Sequence, residues 1–544
     1  MLSYRKLAMR VLGRPLHTGG GIDSPRPASQ RAAALVLTAA MLTTLAAPAF
    51  ADIWRIEDGD ITVKAGDTEG TNKVSQGTII DKVDTNTIIT NQKTDKASSN
   101  TVTIETNDKN DKVEVTLKDV NIDTSSRKKA AVSVTGEGDT NIKLDGDNAL
   151  KSDIYRSGIY GSGSLTISGG ENDSLTAQGG SGANGISSSG SLTISGGTVT
   201  ANGDDGGHGI YSRGGVTISG GSTVTANGRS GTISGGDGIR SDGGVTISGG
   251  TVNATGGNGG TISGGDGIRS GGGLTVSDGT VTAKGGNGDS KDGSGGDGIR
   301  SGGVVTISGN TVNAAGGYGG KVGGYGICSF DRVAISGGAV TANGGDGGSG
   351  GGGSGIYSSD IDLSGSLELT AKAGSPNGKA LSQKGSELVL DTIKDKLGPG
   401  AKVTATDADG KVIDQVSIPR PVEPEEPVIP EESSSSSDGG SATPSAPASP
   451  LPGLTVTDKS GQRISYTSTQ SGNTLTVCVG RFTASLRASL AALRQLRAEG
   501  IETITFQTIL CSTTLSVDEL LAMGGEDAEA VLTHRLTDSS LTVG

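Results

Sequence analysis

The chain has 544 residues, of which 96 are glycine and only 2% are aromatic, and its formal net charge is −13. Few aromatic side chains are left for a large globular core, and glycine without a strict three-residue period excludes collagen. The acidic balance argues against nucleic acid as a partner, because phosphate backbones bind basic surfaces.

Residues 1–51 are predicted to be an export signal with a long leader. Arg26 and Arg31 precede an apolar run over residues 32–45, and the small-residue pattern AFA ends at Ala51. The run has about 14 residues, fewer than the roughly 20 that a bilayer-spanning helix needs. The pattern therefore predicts cleavage after Ala51, a mature chain without a transmembrane segment, and a secreted or cell-surface protein.

A Gly-Ile step marks eight successive repeats of just under or over thirty residues. The isoleucines of these steps are Ile159, Ile186, Ile210, Ile239, Ile268, Ile299, Ile327 and Ile356. Each repeat contains three segments, exemplified by GIRS, GVTISGG and TVNATGG, and each segment alternates apolar and polar residues. Alternation with period two predicts three short strands per repeat. The glycine pairs between the segments are expected to supply positive φ at the corners.

These repeats predict an all-β fold, a right-handed parallel β-helix with three short strands per coil. Inward aliphatic residues of one coil would stack on those of the next at the strand spacing of about 4.8 Å. The expected pairs are Ile239 on Ile268, Val245 on Leu274, Ile247 on Val276, and Val252 on Val281. An array of β-sandwiches fits less well, because short hairpin turns would not give one fixed order of three segments.

The repeats also predict the domain boundaries. Residues 52–152 are expected to form the N-terminal cap and first coils, with Trp54 and Ile56 closing the exposed end, and residues 153–418 the remaining coils. Residues 419–452, rich in Pro, Glu and Ser, are typical of an extended linker.

Residues 453–544 predict a small α/β domain of unknown role, with strands in TLTVCVG and IETITFQTIL. A helix is expected between them, with one face formed by Ala484, Leu486, Leu490, Leu493 and Leu496. Gly500 would end this helix, and Ser516 would begin a second, shorter one. Cys478 and Cys511 either form a disulfide or remain two reduced thiols.

Two columns of charge are predicted on the outer surface. Two positions before the isoleucine, three successive coils carry Asp237, Asp266 and Asp297; one position after it, the same coils carry Arg240, Arg269 and Arg300. Like charges about 4.8 Å apart repel, so the acidic column requires compensating cations.

Two interpretations of the columns stay open. In the first, the arginines neutralise the aspartates as a surface ion-pair ladder. In the second, Arg240, Arg269 and Arg300, flanked by Tyr211 and Tyr357, bind an acidic polysaccharide. Guanidinium groups pair with carboxylates in a bidentate manner, and tyrosine rings offer an apolar face to sugars.

Calcium is the other cation that could satisfy the acidic groups. The predicted ligands are Asp237, Asp266 and Asp297, with Asp289 and Asp292 in the loop NGDSKDGSGGDG. Calcium needs six to eight oxygen ligands, and the spacing matches neither an EF-hand nor the nonapeptide calcium repeat. A solvated acidic loop explains the same residues.

The strands resemble secreted β-helical carbohydrate-binding domains of anaerobic Gram-positive bacteria, which are related in shape to pectate lyases. The stretches that carry the resemblance are VTLKDVNIDTSS, AAVSVTGEG, IKLDGDNALKS and GDGIRSDGGVTISGGTVNATGG, over roughly Asp52 to Ile418. The resemblance implies binding of extracellular polysaccharide, cellulose or polygalacturonate, with bound calcium and no requirement for catalysis.

Three other functions fit parts of the sequence. A surface adhesin or a purely structural solenoid needs only the repeats. A polysaccharide lyase would use acidic calcium ligands and a basic arginine, but here these residues repeat instead of converging on one cleft. Files of threonine around Val199, Val224 and Val252 also resemble those of ice-binding proteins. We therefore predict a non-enzymatic carbohydrate-binding protein.

Overall fold

The computed structural model describes residues 52–419 except Ser290, and residues 454–543 except 459–461, 465, 472, 480, 482, 509–511, 524–528 and 536–537. These parts belong to two compact units. The predicted export signal, most of the predicted linker, and Cys511 lie outside the described residues.

The first unit is a parallel β-solenoid of about 13 turns, which confirms the predicted fold. Its strands form three parallel ladders, which we call the first, second and third sheets. The first sheet contains Ile61–Ala65, Val102–Glu105, Val132–Thr135, Ile159–Gly161, Ile186–Ser188, Ile210–Ser212, Ile239–Ser241, Ile268–Ser270, Ile299–Ser301, the start of Ile327–Asn343 and of Ile356–Lys372, and Leu381–Gln383.

The second and third sheets follow the other two segments of each repeat. The second contains Ile53–Arg55, Thr87–Thr90, Lys112–Lys118, Asp139–Asp145, Ser164–Ser168, Leu192–Ile194, Val216–Ile218, Val305–Ile307 and the first part of Val245–Thr255 and Leu274–Lys284. The third contains Asn121–Asp123, Asp147–Lys151, Ser174–Gln178, Thr198–Asn202, Thr223–Asn227, Thr311–Ala315, Lys402–Thr406 and the later part of the long strands.

The core is a stack of aliphatic side chains in strict register. Ile239 pairs with Ile268, and Val245, Ile247 and Val252 pair with Leu274, Val276 and Val281, as predicted. These side chains are at most 1% exposed. Each contributes about 1.5–3 kcal/mol by its burial, and the next coil completes the site that each one fills.

A column of buried serines connects the coils beside this core, and sequence reasoning missed it. From Ile186–Ser188 to Ile299–Ser301, the serine at the end of each short first-sheet strand donates its hydroxyl hydrogen to a glycine carbonyl of the preceding coil. Examples are Ser212 to Gly190 at 2.9 Å, Ser241 to Gly214 at 2.8 Å, Ser270 to Gly243 at 3.0 Å and Ser301 to Gly272 at 2.8 Å. The hydroxyls thereby satisfy carbonyls at a corner where the backbone leaves the ladder.

Antiparallel strands lie at both ends of the solenoid. At the N-terminal end, Asn72–Gln76 pairs with Ile61–Ala65 and with Ile79–Asp84. Trp54 and Ile56 are buried there, as predicted, and the Trp54 indole N–H donates to Asp84 Oδ2 at 2.8 Å. At the other end, Val412–Ser417 pairs with Lys402–Thr406. The described part of the unit also contains two short 3-10 helices, Ile56–Asp58 and Leu390–Lys396.

Glycine has two different roles at the corners, and the sequence prediction covered only one. Gly220, Gly221 and Gly250 have φ values of 68°, 71° and 80°, as expected for corners. Gly265 is required for another reason, because a Cβ atom there would lie 2.0 Å from the carbonyl oxygen of Gly236. The glycines before the aspartate column therefore allow successive backbones to approach closely.

Among its described residues, the second unit contains two four-stranded sheets and two helices. One sheet contains Leu454–Thr457, Thr483–Ser489, Glu529–Arg535 and Asp538–Val543; the other contains Thr467–Ser471, Thr474–Cys478, Thr503–Gln507 and Ser512–Ser516. The helices are Leu490–Ala498 and Val517–Met523. Gly500 has φ 90° after the first helix, and the Ser516 Oγ accepts the backbone N–H of Glu519, as predicted.

The prediction that Ala484 and Leu486 belong to the first of these helices is wrong. They lie in the strand Thr483–Ser489, where alternate residues are buried. The helix begins only after Ser489, whose hydroxyl accepts the backbone N–H of Ala492. The stretch TASLRAS alternates with period two, and this alternation governs its structure. None of the helices described in either unit is long and apolar enough to cross a bilayer.

A test of the close backbone approach is Gly265→Ala. We expect the free energy of unfolding to fall by about 1–3 kcal/mol, because the methyl group forces adjacent coils apart. Gly215→Ala is the control, since its Cβ would lie 3.4 Å from the nearest atom, an ordinary contact. Chemical denaturation measures both variants, and equal losses would show that close approach is not the constraint.

Candidate functional site

The predicted charge columns lie side by side on the outer face of the first sheet. Arg240, Arg269 and Arg300 are direct neighbours in the ladder, and Tyr211 precedes Arg240. Tyr357 is separated from Arg300 by Cys328. The structure therefore brings the three arginines and Tyr211 together and places Tyr357 two coils further on.

The three aspartates line a groove of about 380 Å³ together with the three arginines, His208 and three serines, Ser234, Ser263 and Ser294. Asp237, Asp266 and Asp297 are only 4–6% exposed. The arginine side chains are 33–44% exposed. The acids therefore form the floor of the groove, and the guanidinium groups lie at its solvent side.

Each aspartate connects its coil to the next through one carboxylate oxygen. The backbone N–H of Asp266 donates to Asp237 Oδ1, that of Asp297 to Asp266 Oδ1, and that of Tyr325 to Asp297 Oδ1, all at 2.7 Å. This bonding does not depend on charge, since the two preceding coils use neutral acceptors: Asn184 Oδ1 accepts from His208, and His208 Nδ1 accepts from Asp237.

The second carboxylate oxygens face the arginines at unequal distances. Arg300 Nη1 donates to Asp297 Oδ2 at 3.0 Å, whereas the closest approaches of Arg240 to Asp237 and of Arg269 to Asp266 are 3.8 and 3.7 Å. Asp237 Oδ2 is buried without a hydrogen-bond partner. The predicted ion-pair ladder is thus complete at one coil and loose at the other two.

Burial governs the protonation of the groove. It raises the pKa of Asp237, and, with repulsion from the neighbouring aspartate, raises the pKa of Asp266 and of Asp297 to about 7. Burial and the nearby Arg240 and Arg269 lower the pKa of His208 to about 4. His208 is therefore neutral near pH 7, and its 3.5 Å approach to Asp237 Oδ2 is not an ion pair.

Aromatic side chains lie at both ends of the arginine row. The Tyr211 ring lies 6.0 Å from the Arg240 guanidinium, and its hydroxyl donates to Asp242. At the other end, Phe330 is 56% exposed and lies 4.9 Å from the Arg300 guanidinium. Phe330 was missed in the sequence, although the segment CSFDR, in place of the usual RSGG, marks it.

The column does not fit a calcium site. In the part of the chain that the structure describes, no group of three or more His, Cys, Asp or Glu side chains is placed to hold a metal ion. One oxygen of each aspartate accepts a backbone N–H, and the other faces a cationic guanidinium. Asp289 and Asp292 are exposed and are not among the residues that line this groove. Calcium at that loop stays a prediction.

Residues 84–350 match a family model described as carbohydrate-binding domain-containing protein. The matched residues include both charge columns, and the match ends before Tyr357. No curated protein and no solved structure matches the chain.

The stability of the solenoid should depend on pH through the aspartates. Because their pKa values are raised on folding, the folded chain binds more protons between about pH 4 and pH 7, and stability falls as pH rises through that window. Asp266→Asn keeps the acceptor for the Asp297 N–H and removes the charge, so we expect its melting temperature at pH 8 to rise by about 1–3 °C.

The matched variant is Asp266→Ala, which also removes the acceptor. It should be less stable than the wild type at pH 5 and at pH 8, because it leaves a buried N–H unpaired. Thermal melts from pH 4 to pH 8 measure all three proteins. A stability that rises for the wild type between pH 5 and pH 8 would contradict the raised pKa values.

Proposed function

We propose, from the match of residues 84–350 to the carbohydrate-binding domain-containing family model, that this protein binds a linear acidic polysaccharide outside the cell without cleaving it. The binding surface in this proposal is the arginine face, which we define as Tyr211, Arg240, Arg269, Arg300 and Phe330. The observation that carries the proposal is the row of three part-exposed guanidinium groups at the coil spacing of about 4.8 Å.

The chemistry of the arginine face suits uronate sugars. A guanidinium offers two parallel N–H groups to a carboxylate, and an aromatic ring packs against the apolar face of a sugar ring. The row lies in a ladder whose backbone is fixed by hydrogen bonds on both sides, so the spacing of the cations is set before a ligand arrives. Such preorganisation lowers the entropic cost of binding.

The buried acids oppose an anionic ligand less than three exposed carboxylates would. Their carboxylates are held in the floor by backbone N–H groups, and two of them have a pKa of about 7. Near neutral pH part of their negative charge is removed by protonation, while the arginines stay charged. Since the acids serve the backbone in this way, we assign them a structural role and no catalytic one.

Replacing Arg240, Arg269 and Arg300 together by glutamine should weaken binding of polygalacturonate about 10- to 100-fold, because each exposed ion pair contributes up to about 1 kcal/mol. Isothermal titration at two salt concentrations measures the loss. The control replaces Lys143, Lys284 and Lys402, which lie on the other two sheets, by glutamine, so that the net charge changes equally. Equal binding by both variants would contradict the proposal.

Ultraviolet absorbance of mixtures of the protein with polygalacturonate tests whether the polymer is cleaved. Unsaturated products of a lyase absorb in the ultraviolet, and we expect none to accumulate with the wild type and polygalacturonate, with or without added calcium. Accumulation that stops in the arginine variant would replace the binding proposal by a catalytic one.

Binding should also strengthen as pH falls from 8 to 6, while the uronate carboxylates remain ionised. Protonation of Asp266 and Asp297 in that range removes negative charge beneath the arginines. Asp266→Asn should bind more tightly than the wild type at pH 8 and show a smaller change with pH. Affinity measured at both pH values decides, and affinity that weakens toward pH 6 would contradict this role of the acids.

A further inference from the structure

A second and larger groove lies on the outer side of the first sheet, over the coils that precede the arginine face. Its volume is about 670 Å³. Its floor contains hydroxyl side chains from successive strands, including Thr103, Ser133 and Ser187. Ser187 pairs with Tyr211 in the ladder, so the second groove continues directly into the arginine face.

The wall of the second groove comes from one turn that is repeated in two coils. This turn lies just before the first-sheet strand, and its residues are Lys128 and Lys129 in one coil and Tyr155 and Arg156 in the next. The structure thereby gathers three cations and an aromatic ring on one edge. Sequence reasoning did not identify any of them, because the later Gly-Ile repeats have different residues at these positions.

Two of these residues have a backbone conformation that favours glycine. Lys128 has φ 54° and Tyr155 has φ 58°. At the equivalent position the next two coils have Gly182, with φ 76°, and Gly206, with φ 80°. A non-glycine residue in the left-handed region is strained, and such strain is concentrated at functional sites. The two coils thus keep large side chains where glycine would fold more easily.

The side chains around this groove are available to a ligand. Tyr155 is 75% exposed and Tyr160 is 42% exposed. The Tyr155 ring packs over Gly182, where an added Cβ would lie 2.9 Å from Cε1. Within the described residues, neither the Lys128 ammonium nor the Arg156 guanidinium forms an ion pair, whereas Lys129 pairs with Asp60 at 2.9 Å.

We propose that this groove is a second subsite for the acidic polysaccharide, so that one sugar chain lies along the solenoid axis over both grooves. The inference rests on the proposed function, because it extends the same ligand to new residues. The track runs from the strand of Thr103 to the strand of Arg300, eight strands and therefore about 34 Å at the coil spacing. Two subsites on one rigid surface bind a long chain more tightly than a short one, because the second contact is intramolecular.

The decisive variant is Lys128→Gly combined with Tyr155→Gly, which copies the glycines of the following coils. The strain argument predicts an unchanged or higher melting temperature for it. We expect its affinity for long polygalacturonate to fall about 10-fold, while trigalacturonate, too short to reach both grooves, binds the arginine face as it does in the wild type. Lys384→Gly is the matched control, since Lys384 has φ 50° and lies in a C-terminal coil.

Arg156→Gln supplies a second test at an exposed position if the glycine variant is less stable than expected. It should reduce the affinity for the long polymer and leave the melting temperature unchanged. Polygalacturonate whose carboxylates are methyl-esterified should gain nothing from the second groove, because the cations then have no anionic partner.

The outcomes separate this inference from the proposed function. Long-polymer affinity that is unchanged in both variants, but lost in the triple arginine variant, overturns the second subsite and leaves the arginine face in place. If the affinity is lost in the glycine variant but unchanged in the triple arginine variant, the second groove is supported and the arginine face is not the binding surface. Affinity unchanged in all variants overturns both.

Discussion

The structure depends on the in-register stacking of one coil on the next. Every backbone group in a ladder bonds to the coil before or after it, so each position of the repeat forms a column along the axis. Aliphatic residues in such a column make a continuous core. In another column, serine hydroxyls donate hydrogen bonds to backbone carbonyls of the preceding coil. The same rule forces glycine wherever two backbones approach too closely for a Cβ, as at Gly265.

This constraint explains how three aspartates come to lie on top of one another. Stacked carboxylates repel, yet each one accepts the backbone N–H of the next coil. Asn184 and His208 make the same bond without charge. The column is therefore first a bonding ladder between coils, and its negative charge is a secondary property that raised pKa values reduce near neutral pH.

The backbone holds one oxygen of each aspartate, so the arginines serve only the second oxygen, and Asp237 Oδ2 has no hydrogen-bond partner. Arg240 and Arg269 stay 3.8 and 3.7 Å from their aspartates, and only Arg300 makes a hydrogen bond. In the proposed function, the two interpretations of the sequence apply to different groups: the floor of acids maintains the fold, and the outer guanidinium groups offer donors to the ligand.

The sequence allowed prediction of whatever the repeat imposes. The Gly-Ile step predicted the register, the inward residues and the neighbouring arginines, because a one-residue shift would turn every inward side chain outward. Features that break the repeat could not be predicted in the same way. Lys128 and Tyr155 replace a glycine in a left-handed turn, and Phe330 replaces part of a glycine corner. In the second unit, the strand Thr483–Ser489 and the helix that follows it have similar compositions, so composition did not show where one ends and the other begins.

A rigid solenoid suits a linear polymer for a physical reason. The sugar units of a polymer repeat along the polymer chain, and the coils repeat along the solenoid axis. When the two lie side by side, weak contacts at successive coils act on one polymer chain. Each exposed ion pair or ring contact contributes little, but the backbone ladders hold the groups in place, and later contacts do not repeat the entropic cost of the first. In the proposed function, a surface with Tyr155 in one groove wall and with Tyr211 and the arginine row on the adjoining strands obtains affinity from length, and it needs no deep pocket for a single sugar.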